Sequence, residues 1–135
     1  MIFEEESIIY KIFISHTGQT KEEYSIFIEK LSKAYNFEWK NYSILENNKT
    51  NVTELQKQIE SAGIVIILSG LYNKHKKIIK KQIDIAKALN KPMIVIRPYG
   101  MEEVPPELEK IAADIVGWNA PCIVDAIQEN YLEEQ

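Results

Sequence analysis

The sequence is poor in the residues that build cross-links and metal centres. Cys122 is its one cysteine and His16 and His75 are its two histidines, which excludes an internal disulfide and leaves no Cys/His set with zinc-ligand spacing. A chain without disulfides suits a reducing compartment, so a cytoplasmic location is the expectation. Basic residues are the minority, 16 against 20 acidic ones for a formal charge of −4, and no overall field favours nucleic acid or an anionic membrane. The apolar runs are too short to cross a bilayer. The start, "MIFEEESIIYKIFIS", is acidic before it is apolar and has neither the basic region nor the cleavage site of a signal peptide. Asn-x-Ser/Thr matches at Asn41, Asn48 and Asn51 therefore carry no expectation of glycosylation. Walker loops, the Rossmann glycine fingerprint, repeats and low-complexity segments are also missing.

What remains is a chain of 135 residues, 45% hydrophobic and 27% charged, which fits one globular domain over residues 1–135. "IIYKIFIS" (8–15) is β-branched and aromatic and reads as a buried strand. Tyr24, Phe27, Ile28 and Leu31 then recur at helical spacing, with acids before them and Lys33 after, as the helix dipole prefers. "FEWKNYSI" (37–44) alternates as a second strand, and a helix near 52–61 takes Asn51 or Thr53 as its cap. "AGIVIILSG" (62–70) is apolar throughout, the pattern of a parallel strand covered on both faces. A helix over 76–89, a strand over 91–100, a short helix over 106–113, a strand over 114–119 and a final helix from residue 120 complete the order. Strands alternating with helices predict an α/β fold: an open, mostly parallel five-stranded sheet with helices on both faces and right-handed crossovers. Ligands of such sheets sit beyond the carboxyl ends of the strands, so the loops of interest are 15–20, 42–51, 69–75, 97–104 and 118–121.

"KKIIKKQIDIAKAL" (76–89) holds an anomaly. At about 100° per residue, Ile78, Ile79, Ile83, Ile85, Ala86 and Leu89 share one face, opposite Lys77, Lys80, Asp84 and Lys87, yet Gln82 lands amid the apolar side chains. Burying an unpartnered amide costs roughly 1–3 kcal/mol, so Gln82 is either satisfied inside or opens onto a cavity at the rim of the sheet.

"SHTGQT" (15–20) stands where a phosphate loop would, between the first strand and the first helix. Ser15, Thr17, Gly18 and Thr20 resemble the flavodoxin FMN loop, and equally suit an ordinary capped turn. A receiver domain is excluded by Ser69, where its acceptor Asp would end the third strand, and by Ser15 and His16 in place of its acidic pair. Ser69-Gly70 is not a nucleophile elbow. "NKHKKIIKK" (73–81) reads as the solvated face of a helix or as a pyrophosphate patch. Trp39, Tyr42, Tyr72, Tyr99 and Trp118 fall near the expected rim, where an aromatic ring stacks on a base or completes the core.

"KIFISH" (11–16), "KNYSI" (40–44), "IVIILSGLY" (64–72), "QIDIAKALNKPMIVIRPYG" (82–100) and "DIVGWN…IVDAI" (114–127) together resemble the short bacterial TIR-like family related to the ThsB proteins of Thoeris antiphage defence. The resemblance implies a flavodoxin-like TIR fold whose cleft binds NAD as a substrate, without metal. Active members cleave the nicotinamide–ribose bond and release an ADP-ribose-derived signal that switches on an effector protein. The family carries Trp-x-x-x-Glu on the helix after the third strand, with a catalytic Glu. Gln82 takes the Glu position here and Ile78 the Trp position; an engineered Glu→Gln change leaves the natural protein an enzyme, a natural Gln means a binding or scaffold domain or different chemistry, and Ile78 in place of Trp favours the second, since a tool substitution changes one residue. An amide there can hydrogen-bond ribose but cannot offset the charge of an oxocarbenium-like transition state.

On this reading Gln82 occupies the catalytic position, Ser15, His16 and Thr17 contact the nucleotide, Tyr42 and Ser43 line its ribose or nicotinamide end, and Ser69 with Tyr72 closes the rim. The implied partners are NAD or an ADP-ribose derivative and an effector reached through the signal, with self-association as a further expectation and neither nucleic acid nor membrane. The alternatives from other classes are a non-catalytic TIR-like binding or assembly module and an FMN-binding flavodoxin-like protein.

Overall fold

Strand and helix alternate as the hydrophobic pattern predicts. A computed structural model describes residues 8–17, 23–43, 51–98 and 103–133. In chain order the elements are β1 (Ile9–Ile14), α1 (Glu23–Ser32), β2 (Glu38–Asn41), α2 (Val52–Ser61), β3 (Ile64–Leu68), α3 (Ser69–Lys74), α4 (Lys76–Ala88), β4 (Met93–Ile96), α5 (Pro106–Ile111), β5 (Asp114–Val116) and α6 (Ala120–Asn130). The five strands form one sheet in the order β2-β1-β3-β4-β5, every pairing parallel. Among the described residues no helix is long and apolar enough to cross a membrane.

Side chains alternate across a strand, so a run that is apolar at every position must be covered on both faces. β3 and β4 meet that condition, with all their residues buried. On one face Ile12, Ile14, Ile66 and Ile94 pack with Phe27 and Leu31 of α1 and Ile123 and Ile127 of α6. On the other, Phe13, Val65, Ile67 and Val95 pack with Ile59 of α2, Ile79 and Ile83 of α4 and Leu108 of α5. Fully burying one such side chain contributes roughly 1.5–3 kcal/mol.

Local chemistry sets the helix ends. Asn51, rather than Thr53, caps α2: its Oδ1 accepts from the backbone N–H of Glu54 at 2.8 Å. α4 stops at Asn90, whose φ of 55° is left-handed. Lys91 N–H donates to Ala86 O at 2.9 Å and Asn90 N–H to Lys87 O at 3.0 Å, the paired bonds of a Schellman stop.

Two expectations are corrected. Residues 69–75, read as a loop, are mostly the helix α3. Leu71 and Tyr72 are both buried, in the two opposite cores, and a helix satisfies the backbone groups that sink with them. Ile78, assigned to the apolar face of α4, is 48% exposed. The buried stripe is narrower than the wheel suggested, formed by Ile79, Gln82, Ile83 and Ala86, the i, i+3, i+4, i+7 seam of a helix laid on a sheet.

With this strand order the chain leaves β1 toward β2 on one side and returns through β3 on the other. The topological switch, where open α/β sheets bind ligands, therefore lies between the carboxyl ends of β1 and β3.

Candidate functional site

Four polar side chains are sealed at that switch, a placement that physical chemistry disfavours unless each is hydrogen-bonded. Ser15 and Ser43 are fully buried, Gln82 is 2% exposed and His16 4%. Ser15 and His16 continue β1, and Ser15 N–H still reaches Ile66 O of β3 at 2.9 Å. Ser43 follows β2, and Gln82 comes from the middle of α4.

Gln82 is almost fully buried, and its amide is engaged by the end of β1. Oε1 accepts from the Ser15 hydroxyl and from His16 N–H at 3.2 Å, while Nε2 donates to His16 O at 2.8 Å. One side chain thus reads donor and acceptor on the same residue's backbone and ties α4 to the loop that leaves β1. The Ser15 hydroxyl, directed at Gln82, is not presented to a phosphate as the flavodoxin-like reading requires.

His16 holds the other half of the cluster. Its ring stacks on Tyr24 of α1, with centroids 3.8 Å apart and planes 23° from parallel. Nε2 lies 2.5 Å from Ser43 O; a carbonyl only accepts, so Nε2 carries the proton. Asn41, Tyr24 and Ser43 close a ring in which Asn41 Nδ2 donates to Tyr24 Oη at 2.8 Å, Tyr24 Oη–H points to Ser43 Oγ at 3.4 Å, and Ser43 Oγ–H returns to Asn41 Oδ1. Ser43 N–H also donates to Asn41 Oδ1 at 2.9 Å. Asn41 is therefore a structural member of the cluster.

Burial pushes the His16 imidazole below its ordinary pKa, partly offset by the hydrogen bond to Ser43. Below the ordinary value near 6.5 the unfolded chain takes up a proton that the folded chain resists, so this stabilisation is complete above that pH and is lost as pH falls toward the lower folded value. Wild-type melting temperature is expected to drop between pH 7.5 and 5 more steeply than that of His16→Gln, which has no titrating ring. Parallel slopes for the two proteins in thermal melts would contradict it.

The remaining expected residues take no part in this hydrogen-bonded cluster. Thr17 is half-buried at the limit of the described segment. Tyr42 donates its N–H to Ile12 O at 2.8 Å and turns its half-buried ring toward the α2–α4 core, with Lys40 Nζ 5.6 Å from the ring centre. Tyr72, 5% exposed, packs into that core and lines a cleft of about 150 Å³ between α4 and α5. Ser69 is fully buried, and its hydroxyl finds no hydrogen-bond partner among the described residues. Trp118 is half-buried against the core, edge-on to Phe27 at 5.9 Å with its N–H donated to Arg97 O at 2.7 Å. The lysines of 76–81 are exposed. Gly18, Thr20 and Tyr99 lie outside the described residues.

Sequence reasoning passes over Tyr24, Asn41 and Glu23. Glu23 opens α1, and its carboxylate lies against Gly70 of α3: a Cβ at position 70 would stand 1.9 Å from Oε1 and 2.5 Å from Oε2. Its one signal is an acid in a first helical turn, which the helix dipole already accounts for.

A family model described as Thoeris protein ThsB, TIR-like domain, matches residues 13–103. That span takes in Ser15, His16, Glu23, Tyr24, Asn41, Ser43, Ser69 and Gln82. Comparison with curated proteins gives no match.

Proposed function

The chain belongs to the TIR-like domain family of Thoeris protein ThsB, and on that premise we propose that it binds NAD at the β1–β3 switch and cleaves the nicotinamide–ribose bond, releasing an ADP-ribose-derived signal in antiphage defence. The observation that carries this reading is the concentration of sealed polar side chains, Ser15, His16, Ser43 and Gln82, at the carboxyl ends of β1 and β2 and on the facing helix. Four buried polar groups in one place fix the ends of β1 and β2 against α4, and rigidly held strand ends are what a nucleotide site of this fold is built on. NAD enters as the substrate; water or a hydroxyl of the nucleotide itself is the acceptor. An effector protein is the natural reader of such a signal.

One observation favours a second reading, a TIR-like module that binds a nucleotide or another TIR-like domain without turnover: position 82 offers a neutral amide already committed to β1. Calorimetric titration with NAD, ADP-ribose and FMN, followed by mass spectrometry of NAD incubated with the protein, separates the readings. We expect NAD to bind, free nicotinamide to appear, and FMN to leave the protein colourless. NAD binding with no nicotinamide release selects the binding module, and no nucleotide binding at all removes the enzyme and leaves only assembly with another TIR-like domain.

A further inference from the structure

We propose that Glu23 supplies the carboxylate that faces the nicotinamide-bearing ribose, in place of position 82; this rests on the NAD-cleaving reading given above. Three observations converge on it. The amide of Gln82 is held by Ser15 and His16, so position 82 serves to fix the end of β1. Glu23 stands across the same switch, on the residue before Tyr24, whose ring stacks on His16, and against Gly70, two residues past the end of β3. Its carboxylate occupies the volume a side chain at 70 would fill, so the seat exists only because position 70 is glycine. The neighbouring Ser69 hydroxyl is fully buried and has no hydrogen-bond partner among the described residues, an orphaned group of the kind that a ligand hydroxyl satisfies.

The chemistry fits a carboxylate in that seat. As the glycosidic bond breaks, its electron pair leaves with the nicotinamide nitrogen, which becomes neutral, and positive charge spreads over ribose C1′ and the ring oxygen. A carboxylate beside C1′ stabilises that charge. Water then adds to C1′ and gives one proton to solvent through Glu23, so that NAD and water yield ADP-ribose, nicotinamide and a proton.

The test compares wild type, Glu23→Gln and Gly70→Ala for NAD affinity by calorimetry and for nicotinamide release by mass spectrometry, with melting temperature as the control for folding. Glu23→Gln keeps the shape and removes the charge; release is expected to fall about 10²–10³-fold, with NAD affinity changed only a few-fold. Gly70→Ala keeps the charge and displaces it, because the flexible Glu23 side chain must swing away from the new Cβ; release should again fall at least roughly tenfold while the fold stays intact. Wild-type rates of release in both variants would overturn the proposal and leave the NAD-cleaving reading standing. NAD binding without release by wild type overturns the two together.

Discussion

Gln82→Glu should lose about 2–3 kcal/mol of stability at pH 8 and little at pH 4, the pH dependence expected where a charge replaces a hydrogen-bonded, buried amide. The existing amide accepts from the Ser15 hydroxyl and His16 N–H and donates to His16 O. A carboxylate keeps the two acceptor contacts but sets a charged oxygen against a carbonyl oxygen, in a position 2% exposed to solvent. A protonated carboxyl restores the donor. The folded-state pKa of the introduced carboxyl is thereby raised above the ordinary glutamate value near 4.3. Such a group stabilises the fold below its unfolded pKa, and the contribution is lost as pH rises through the folded pKa. Urea unfolding of wild type and Gln82→Glu across pH 4 to 8 reads the difference directly. Gln82→Met, which leaves the Ser15 and His16 groups without their partner, should be destabilised by about 3 kcal/mol with no such slope. Equal stability of Gln82→Glu and wild type at pH 8 would mean that the side chain reaches solvent or a cleft.

How far each feature can be read from the chain follows from the range of the interactions behind it. β3 and β4 are short, apolar at every position and bounded by turn residues, so period and composition identify them. α2 carries its cap in its own sequence, and its bounds at Val52 and Ser61 match the expected ones. α3 escapes such a reading because "SGLYNK" resembles a loop in isolation; only the two cores that receive Leu71 and Tyr72 explain its helix. Gln82 is conspicuous as one polar group on an apolar face, but its partners are 66 and 67 positions away in sequence, and no local pattern encodes a contact at that separation. Tyr24 and Asn41 each have an adequate local explanation, a helical apolar position and a sequon, which conceals their shared hydrogen bond. Chemical type is therefore legible at the site, and pairing is not.

The amino-terminal end of the sheet should be sensitive to a small substitution: Gly63→Ala is expected to cost about 2–3 kcal/mol and to detach the segment after α6 from the sheet. Gly63 precedes β3, where Leu132 N–H donates to its carbonyl at 3.0 Å and its own N–H donates to Lys11 O at 2.9 Å. A methyl group at 63 would stand 2.5 Å from the Tyr131 ring and 2.6 Å from the Leu132 carbonyl oxygen. Backbone cannot swing aside as the Glu23 carboxylate can, so either the strand or the segment must move. The segment is the part expected to yield, since the Leu132 bond and the bond from Lys11 N–H to Tyr131 Oη at 2.9 Å tie it to the sheet from outside the strand ladder. Tyr131 also meets the Tyr10 ring edge-on at 4.9 Å, and Tyr10 in turn stacks on Phe37. Release of the segment therefore exposes Tyr10 as well as two buried backbone groups, which is why the cost exceeds that of a surface change. Amide exchange should lose protection at Leu132 and Lys11 in the variant while the β3–β4 amides remain protected, and Tyr131→Phe, which removes only the bond to Lys11, should lose about 1 kcal/mol. Unchanged protection at Leu132 in Gly63→Ala would show that the strand, and not the segment, yields.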